Sequence, residues 1–251
     1  MKVALITPTP LLNKFAVRSP YHLVLAHEYT TDEAYRQFYK ERSEAGDYVM
    51  LDNGAYELGE SIPTRELYHI ASDLNPTAIF LPDARFHTKR TMQLVTEALQ
   101  FLYGSPWQLI GVPQGDSLES ILECYDWLQR QSGVDGFGLY EEIGLVAGLG
   151  NRANFLRHLE ETDRVDRSKY YHLLGMEEDM SMIEKLASFD WVSGIDSAKP
   201  IVYGLHGIRL LPDGPEAEYP HRPKGYFEIS ETQFEDIIVG NIEQTLNWAK
   251  F

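Results

Sequence analysis

Short apolar runs recur along this chain, and nearly every one is followed by a stretch with helical spacing. The runs fall at 3–7, 22–26, 48–51, 78–81, 108–112, 136–139, 171–174 and 191–195. Most are non-alternating, as strands buried on both faces should be. Strand–helix alternation without a Gly/Ser linker predicts one closed α/β domain over 1–251, and eight strands make it a (β/α)8 TIM barrel. That fold gathers the C-terminal ends of its strands at one mouth, so residues far apart in sequence are expected to converge on one pocket.

Helix starts are legible between the runs. Thr30-x-x-Glu33 reads as a capping box opening a helix to about residue 44, and Ser230-x-x-Gln233 as one opening a C-terminal helix to about 248. Phe234, Ile237, Ile238, Ile242 and Leu246 would form the apolar stripe of that last helix. Further helices are expected from Thr64, Thr88, Ser117, Asn151 and Glu178, whereas 8–21 reads as a loop with little helix. Residues 200–223 are rich in proline and glycine and read as a long loop after the last strand, an insertion over 200–225 beside the mouth. The glycine-rich stretch 144–150 has neither dinucleotide-fingerprint nor P-loop spacing and reads as a flexible βα loop.

Composition narrows the classes. With 251 residues and 43% hydrophobic side chains the chain can bury a full core, which excludes disorder. No apolar stretch approaches the ~20 residues that span a bilayer, and the N-terminus enters a strand directly, so a cytoplasmic protein with no membrane partner is expected. The single cysteine, Cys124, excludes an internal disulfide and a multi-cysteine zinc site; its helical spacing with Leu118, Ile121, Leu122 and Leu128 makes it a core thiol. No His-x-His or His-x3-His pair occurs, so no metal site is expected. The formal charge of −16 opposes a polyanion partner, because phosphate contacts need a basic face. Any such face must be local: Arg85, His87, Lys89 and Arg90, then Lys199 and Arg209, then His221, Arg222 and Lys224. Each is either a phosphate contact or an ordinary solvated loop charge.

The ends of the runs carry three carboxylates, Asp52, Asp83 and Asp196, with Gln114, Tyr56 and several glycines. That inventory suits purine recognition and glycosidic chemistry. Asp196 closes an apolar run and can attack an anomeric carbon, or it can serve as an N-cap for the next segment. Asp52 precedes Asn53-Gly54-Ala55, a tight turn, and two aspartates across one mouth permit a nucleophile and an acid/base. Their side chains are expected to face each other across a cavity sized for one nucleotide. Tyr56 either stacks on a bound base or packs on the rim. Asp83 answers the N1–H and N2–H donors of guanine, and Gln114 with the backbone N–H near Gly138 answers O6. His27, ending the second run, could enter the mouth; Leu174 and Met176 read as pocket wall.

These segments resemble the tRNA-guanine transglycosylase superfamily over roughly residues 3–200. Its Asp-Ser-Gly-Gly-Tyr/Phe-Gln resembles Asp52-Asn53-Gly54-Ala55-Tyr56-Glu57, and its Gly-x-x-Gln-Gly-Gly resembles Gly111-Val112-Pro113-Gln114-Gly115-Asp116. Its Tyr-Leu-Met-Gly resembles His172-Leu173-Leu174-Gly175, and its Phe-Asp-Cys-Val-x-Pro resembles Ile195-Asp196-Ser197-Ala198-Lys199-Pro200. The resemblance implies that Asp196 is the nucleophile on C1′ and Asp52 the general acid/base. It implies that Tyr56 and Leu174 sandwich the ring, and that Asn53, Asp83, Gln114 and the Gly138 backbone belong to the base site. It also implies no cofactor, and as partners a nucleic acid and a free 7-deazaguanine base.

The chain departs from the family pattern after Asp196. The cysteine/histidine zinc motif is absent, and Lys199 stands nearest to the place of the family's arginine. The compact, zinc-free form is similar to DNA-modifying transglycosylases of phages and bacteria, which favours DNA over tRNA, with Lys199, Arg85, Lys89 and Arg90 as backbone contacts. A homodimer or partner protein could supply further basic surface. The alternatives are a tRNA-guanine transglycosylase, a nucleosidase or glycosylase in which water replaces the incoming base, and a non-catalytic purine-binding barrel.

Overall fold

The computed structural model describes residues 1–59, 61–176 and 179–250. Eight strands, β1 (Lys2–Leu5), β2 (Tyr21–Val24), β3 (Tyr48–Leu51), β4 (Ala78–Phe80), β5 (Gln108–Gly111), β6 (Gly136–Tyr140), β7 (Tyr170–Leu174) and β8 (Gly194–Ser197), form one sheet in the order β1-β8-β7-β6-β5-β4-β3-β2. With the helices interleaved, this is the (β/α)8 TIM-barrel fold. The helices are α1 (Leu12–Phe15), α2 (Ala26–Thr31), α3 (Glu33–Glu44), α4 (Ala55–Leu58), α5 (Thr64–Leu74), α6 (Thr88–Leu102), α7 (Leu118–Gln129), α8 (Ile143–Val146), α9 (Arg152–Glu161), α10 (Met182–Ala187), α11 (Lys199–Leu205) and α12 (Glu235–Trp248). A hairpin of β9 (Leu210–Leu211) and β10 (Gly214–Pro215) lies between α11 and α12. Among the described residues no helix is long and apolar enough to cross a membrane.

The chain forms two compact units, Met1–Leu23 with Leu173–Phe251, and Val24–His172. In the first, β1 pairs in parallel with β8, Ala4 opposite Asp196. The expected run at 191–195 is displaced toward the C-terminus: Trp191 precedes the strand, and Asp196 lies within it. Helix α11 corrects the expectation of loop from residue 200 onward. Pro200 sits in its first turn, where no intrahelical N–H is required. Gly204 lets α11 meet α12, for a Cβ there would lie 2.4 Å from the Ile238 side chain. Helix α12 starts at Glu235, past the expected Ser230 box, because Thr232 Oγ1 instead accepts the Phe234 N–H. Its buried face includes Asn241, whose side chain accepts the Leu210 N–H and donates to Ile208 O, anchoring the hairpin. The 8–21 link is also more helical than expected, with short turns from Thr9 to Arg18. The helix start expected at Glu178 lies outside the described residues.

In the second unit β3, β4, β5 and β6 pair successively in parallel. Phe137 stacks on Tyr125 of α7 and on Tyr171 at 4.4 and 5.3 Å, and Gly111 packs on Leu128 of α7. Those side chains define the helix-covered face of the sheet; their strand neighbours Ile110, Gly136, Gly138 and Tyr140 take the opposite face. Cys124 is buried in α7, where burial pushes its thiol up to about 12. Ser117 caps α7 and Asn151 caps α9, as their sequence positions imply. The Thr30 box fails: helix α2 already covers Thr30, and Asp32 caps α3 by accepting the Ala34 and Tyr35 N–H groups. The glycine-rich 144–150 stretch overlaps α8 and is packed closely only at Gly144, where a Cβ would meet the Asn151 main chain, whereas Leu145, Gly148 and Gly150 are exposed.

Candidate functional site

Strand ends in the second unit converge on one carboxylate. Asp83 lies three residues past β4 and is 3% exposed. Asn53 Nδ2 donates to Asp83 Oδ1 at 2.7 Å, and Gln114 Nε2 donates to Asp83 Oδ2 at 2.6 Å. Both amides are oriented from behind. Asn53 Oδ1 accepts the Ala55 N–H, and Asn53 Nδ2 also donates to Leu81 O; Gln114 Oε1 accepts the Phe86 N–H. Asn53 thereby commits both amide hydrogens to the protein, so it positions Asp83. Gln114 donates to Asp83 through one of its two. Its main chain is tied down by Thr88 Oγ1, which donates to Gln114 O, and by Gly115, where a Cβ would lie 2.5 Å from Ile121 N. Burial pushes the Asp83 carboxyl up to about 6, against the lowering influence of the two amides and of Arg85.

Asp52 comes directly after β3, and its Oδ2 accepts the Gly54 N–H at 2.8 Å. Gly54 has φ +77°, a conformation that disfavours any side chain, so the Asp-Asn-Gly turn depends on glycine. Tyr56 lies on α4, half exposed, with the Arg85 guanidinium 4.9 Å from its ring centre. Arg85 also covers the Phe86 ring at 4.9 Å and pairs with Glu142 at 2.6 Å. Phe86 holds φ +63° at the third position of a turn closed by His87 N–H to Ala84 O, strain on the order of 1–2 kcal/mol for a bulky residue. Glu142 and Phe86 belong to no motif; Tyr140 closes the GFGLY run at 136–140, but nothing in the sequence marks its hydroxyl for the site. Lys89 and Arg90 are exposed in the first turn of α6, and Gly138 is buried inside β6. His27 belongs to α2, its Nε2 3.5 Å from Glu28. A groove of about 510 Å³ bordered by Tyr29, Arg36, Arg65, His69 and Asp73 holds none of these candidates.

In the first unit Asp196 is buried in β8, and its Oδ1 accepts the Gly175 N–H at 3.0 Å. Gly175 comes just after β7 with φ +69°, so this acid, like Asp52, is anchored by the N–H of a left-handed glycine. Leu174 ends β7, half-buried. Lys199 is buried, its Nζ 4.7 Å from the Tyr219 ring centre, while its N–H donates to Ser197 Oγ. Asp52 and Asp83 thus lie past the C-terminal ends of their strands and Asp196 is the last residue but one of β8, toward the end where (β/α)8 proteins carry their sites. Among the described residues no three His, Cys, Asp or Glu side chains group as metal ligands.

No protein-family model matches the sequence, and no curated protein matches it. The fold is similar to the crystal structure of CdNal from Clostridium difficile in complex with mannosamine, at 11% identity and a TM-score of 0.49, over 79% of this chain and 71% of that one.

Proposed function

We propose that this protein is an enzyme, a base-exchange glycosyltransferase that replaces guanine in nucleic acid, DNA rather than tRNA, with a 7-deazaguanine such as 7-cyano-7-deazaguanine. The observation that carries the reading is Asp83, buried with both oxygens held by the amides of Asn53 and Gln114. A carboxylate has about four acceptor positions; two are occupied, and the others suit adjacent N–H donors such as N1–H and N2–H of guanine. The remaining hydrogen of the Gln114 amide suits O6. Tyr56, Phe86 and Arg85 offer flat faces for a ring.

The reading assigns Asp196 as the nucleophile. Its carboxylate bonds to C1′ as the C1′–N9 bond of guanine breaks, and Asp52 protonates the departing base. The incoming 7-deazaguanine loses its N9 proton to Asp52, N9 bonds to C1′, and the Asp196 ester bond breaks, with net retention. The test is nucleoside mass spectrometry of DNA and tRNA after incubation with the protein and the 7-deazaguanine base. Modified deoxynucleoside supports the proposal, and modification of tRNA alone rejects the DNA assignment.

A second reading, hydrolysis of a purine nucleoside or deazapurine N-glycosidic bond, is favoured by charge. The net charge is −16, Arg85 is paired with Glu142, and Lys199 is buried against Tyr219. Release of free sugar or abasic product without any incoming base would select it.

A further inference from the structure

Tyr140 ends β6 on the face opposite the α7-packed Phe137, and the two residues before it on that face, Gly136 and Gly138, have no side chain to cover the sheet. Its Oη is buried and makes no hydrogen bond among the described residues. Buried hydroxyls are normally paired, so one left over points to an external partner. The position of the ring says where. Tyr140 meets Phe86 edge-on at 6.3 Å, the Phe86 N–H holds Gln114, and Gln114 holds Asp83. The orphan hydroxyl is therefore joined to the base-reading wall.

Strands β4, β5 and β6 are successive neighbours, so their polar groups come in the order Asp83, Gln114, Tyr140. One edge of guanine presents, in the same sense, N2–H and N1–H, then O6, then position 7. Setting the first pair on Asp83 and O6 on Gln114 brings position 7 to Tyr140. We infer that the Tyr140 hydroxyl is the hydrogen-bonding group that meets position 7 of the bound base and sets which ring the site prefers. This rests on the base-reading role proposed above for Asp83. The hydroxyl donates to N7 of guanine. The C–H of unsubstituted 7-deazaguanine offers it no acceptor.

The test is calorimetric titration of the full chain with guanine and 7-deazaguanine, for wild type, Tyr140→Phe and Asp83→Asn. Wild type is expected to bind guanine about tenfold tighter than 7-deazaguanine. Tyr140→Phe compresses that ratio to within about twofold by weakening guanine only, while its Tm is equal or higher because a buried unpaired hydroxyl is gone. A purely structural tyrosine would leave the ratio unmoved, and that result overturns the inference. So does wild type that fails to discriminate, a measurement independent of how the variant folds. Base binding that Asp83→Asn abolishes, with an unchanged ratio in Tyr140→Phe, sinks the tyrosine alone. No binding of any base by wild type sinks the base-reading proposal and this inference together.

Discussion

The ends of β4 and β8 each present an aspartate, and a main-chain donor helps to hold only the second. Asp83 is gripped through both oxygens by side-chain amides from two other strand ends, and burial raises its pKa to about 6. Asp196 lies inside its strand and is anchored through Oδ1 by the backbone N–H of left-handed Gly175. Asp52 shares the second pattern, through Gly54. An acid assembled from side chains, with a pKa near neutrality, is matched to recognition that depends on its charge. An acid that takes a main-chain N–H is located in part by the fold itself, which is what a reacting atom needs.

The largest expected effect separates these two roles. Asp196→Asn should lower guanine exchange by on the order of 10³-fold or more, because it removes the attacking carboxylate, while guanine affinity stays within about twofold. Labelled-guanine exchange and calorimetry check both halves; loss of affinity with turnover intact would invert the assignment. Asp83 should behave the other way. Protonation converts one acceptor oxygen into an O–H donor facing the N–H donors of guanine. Since the group ionises near 6, guanine Kd is expected to be flat above that pH and to rise about tenfold per unit below it. Asp83→Asn should weaken binding roughly 30-fold or more at pH 7.5 and abolish the pH dependence. A flat wild-type profile from pH 5 to 8 would break the contrast between the two acids.

What the sequence disclosed about this contrast depends on chain distance. Strand existence is legible because buried parallel strands need unbroken apolar runs, and Asp52, Asp83, Gln114 and Asp196 stand at the ends of such runs or just past them. Gly54 and Gly175 stand in readable motifs, but the bonds they make to Asp52 and Asp196 depend on backbone dihedrals. The Asn53–Asp83–Gln114 triad crosses 30 and 31 residues of sequence, and no local pattern encodes it. Phe86 is invisible for a stronger reason: its φ of +63° opposes its own propensity and is imposed by the turn and by Gln114. Local competition explains the misplaced caps, since Thr30 is outcompeted by Asp32 and Ser230 by the turn at Thr232.

A smaller effect tests whether the amide grip is structural. Asn53→Ala removes the donor to Asp83 Oδ1 and to Leu81 O and the acceptor for Ala55 N–H, leaving a buried carboxylate with one side-chain amide fewer. Unfolding free energy is expected to fall by about 1–3 kcal/mol in urea titrations at pH 7.5. The deficit should shrink as acid neutralises Asp83, because the neutral carboxyl has less need of the lost donor. A deficit that is constant with pH would mean that Asn53 acts on the Asp52-Asn53-Gly54 turn alone.

The smallest effect is at Arg85, whose pair with Glu142 is partly solvent-exposed and so contributes at most about 1 kcal/mol after screening. Arg85→Ala is therefore expected to lower Tm by no more than about 4 °C. Its informative readout is the pH midpoint of guanine binding. Arg85 is a positive charge that lowers the Asp83 pKa, so removing it must move the midpoint upward from about 6. Arg85→Lys should return the midpoint toward wild type while leaving guanine affinity reduced, because an ammonium restores charge without the planar face over Tyr56 and Phe86. If alanine leaves the midpoint in place but weakens binding, Arg85 serves the ring and not the acid, and the electrostatic half of the contrast rests on burial alone.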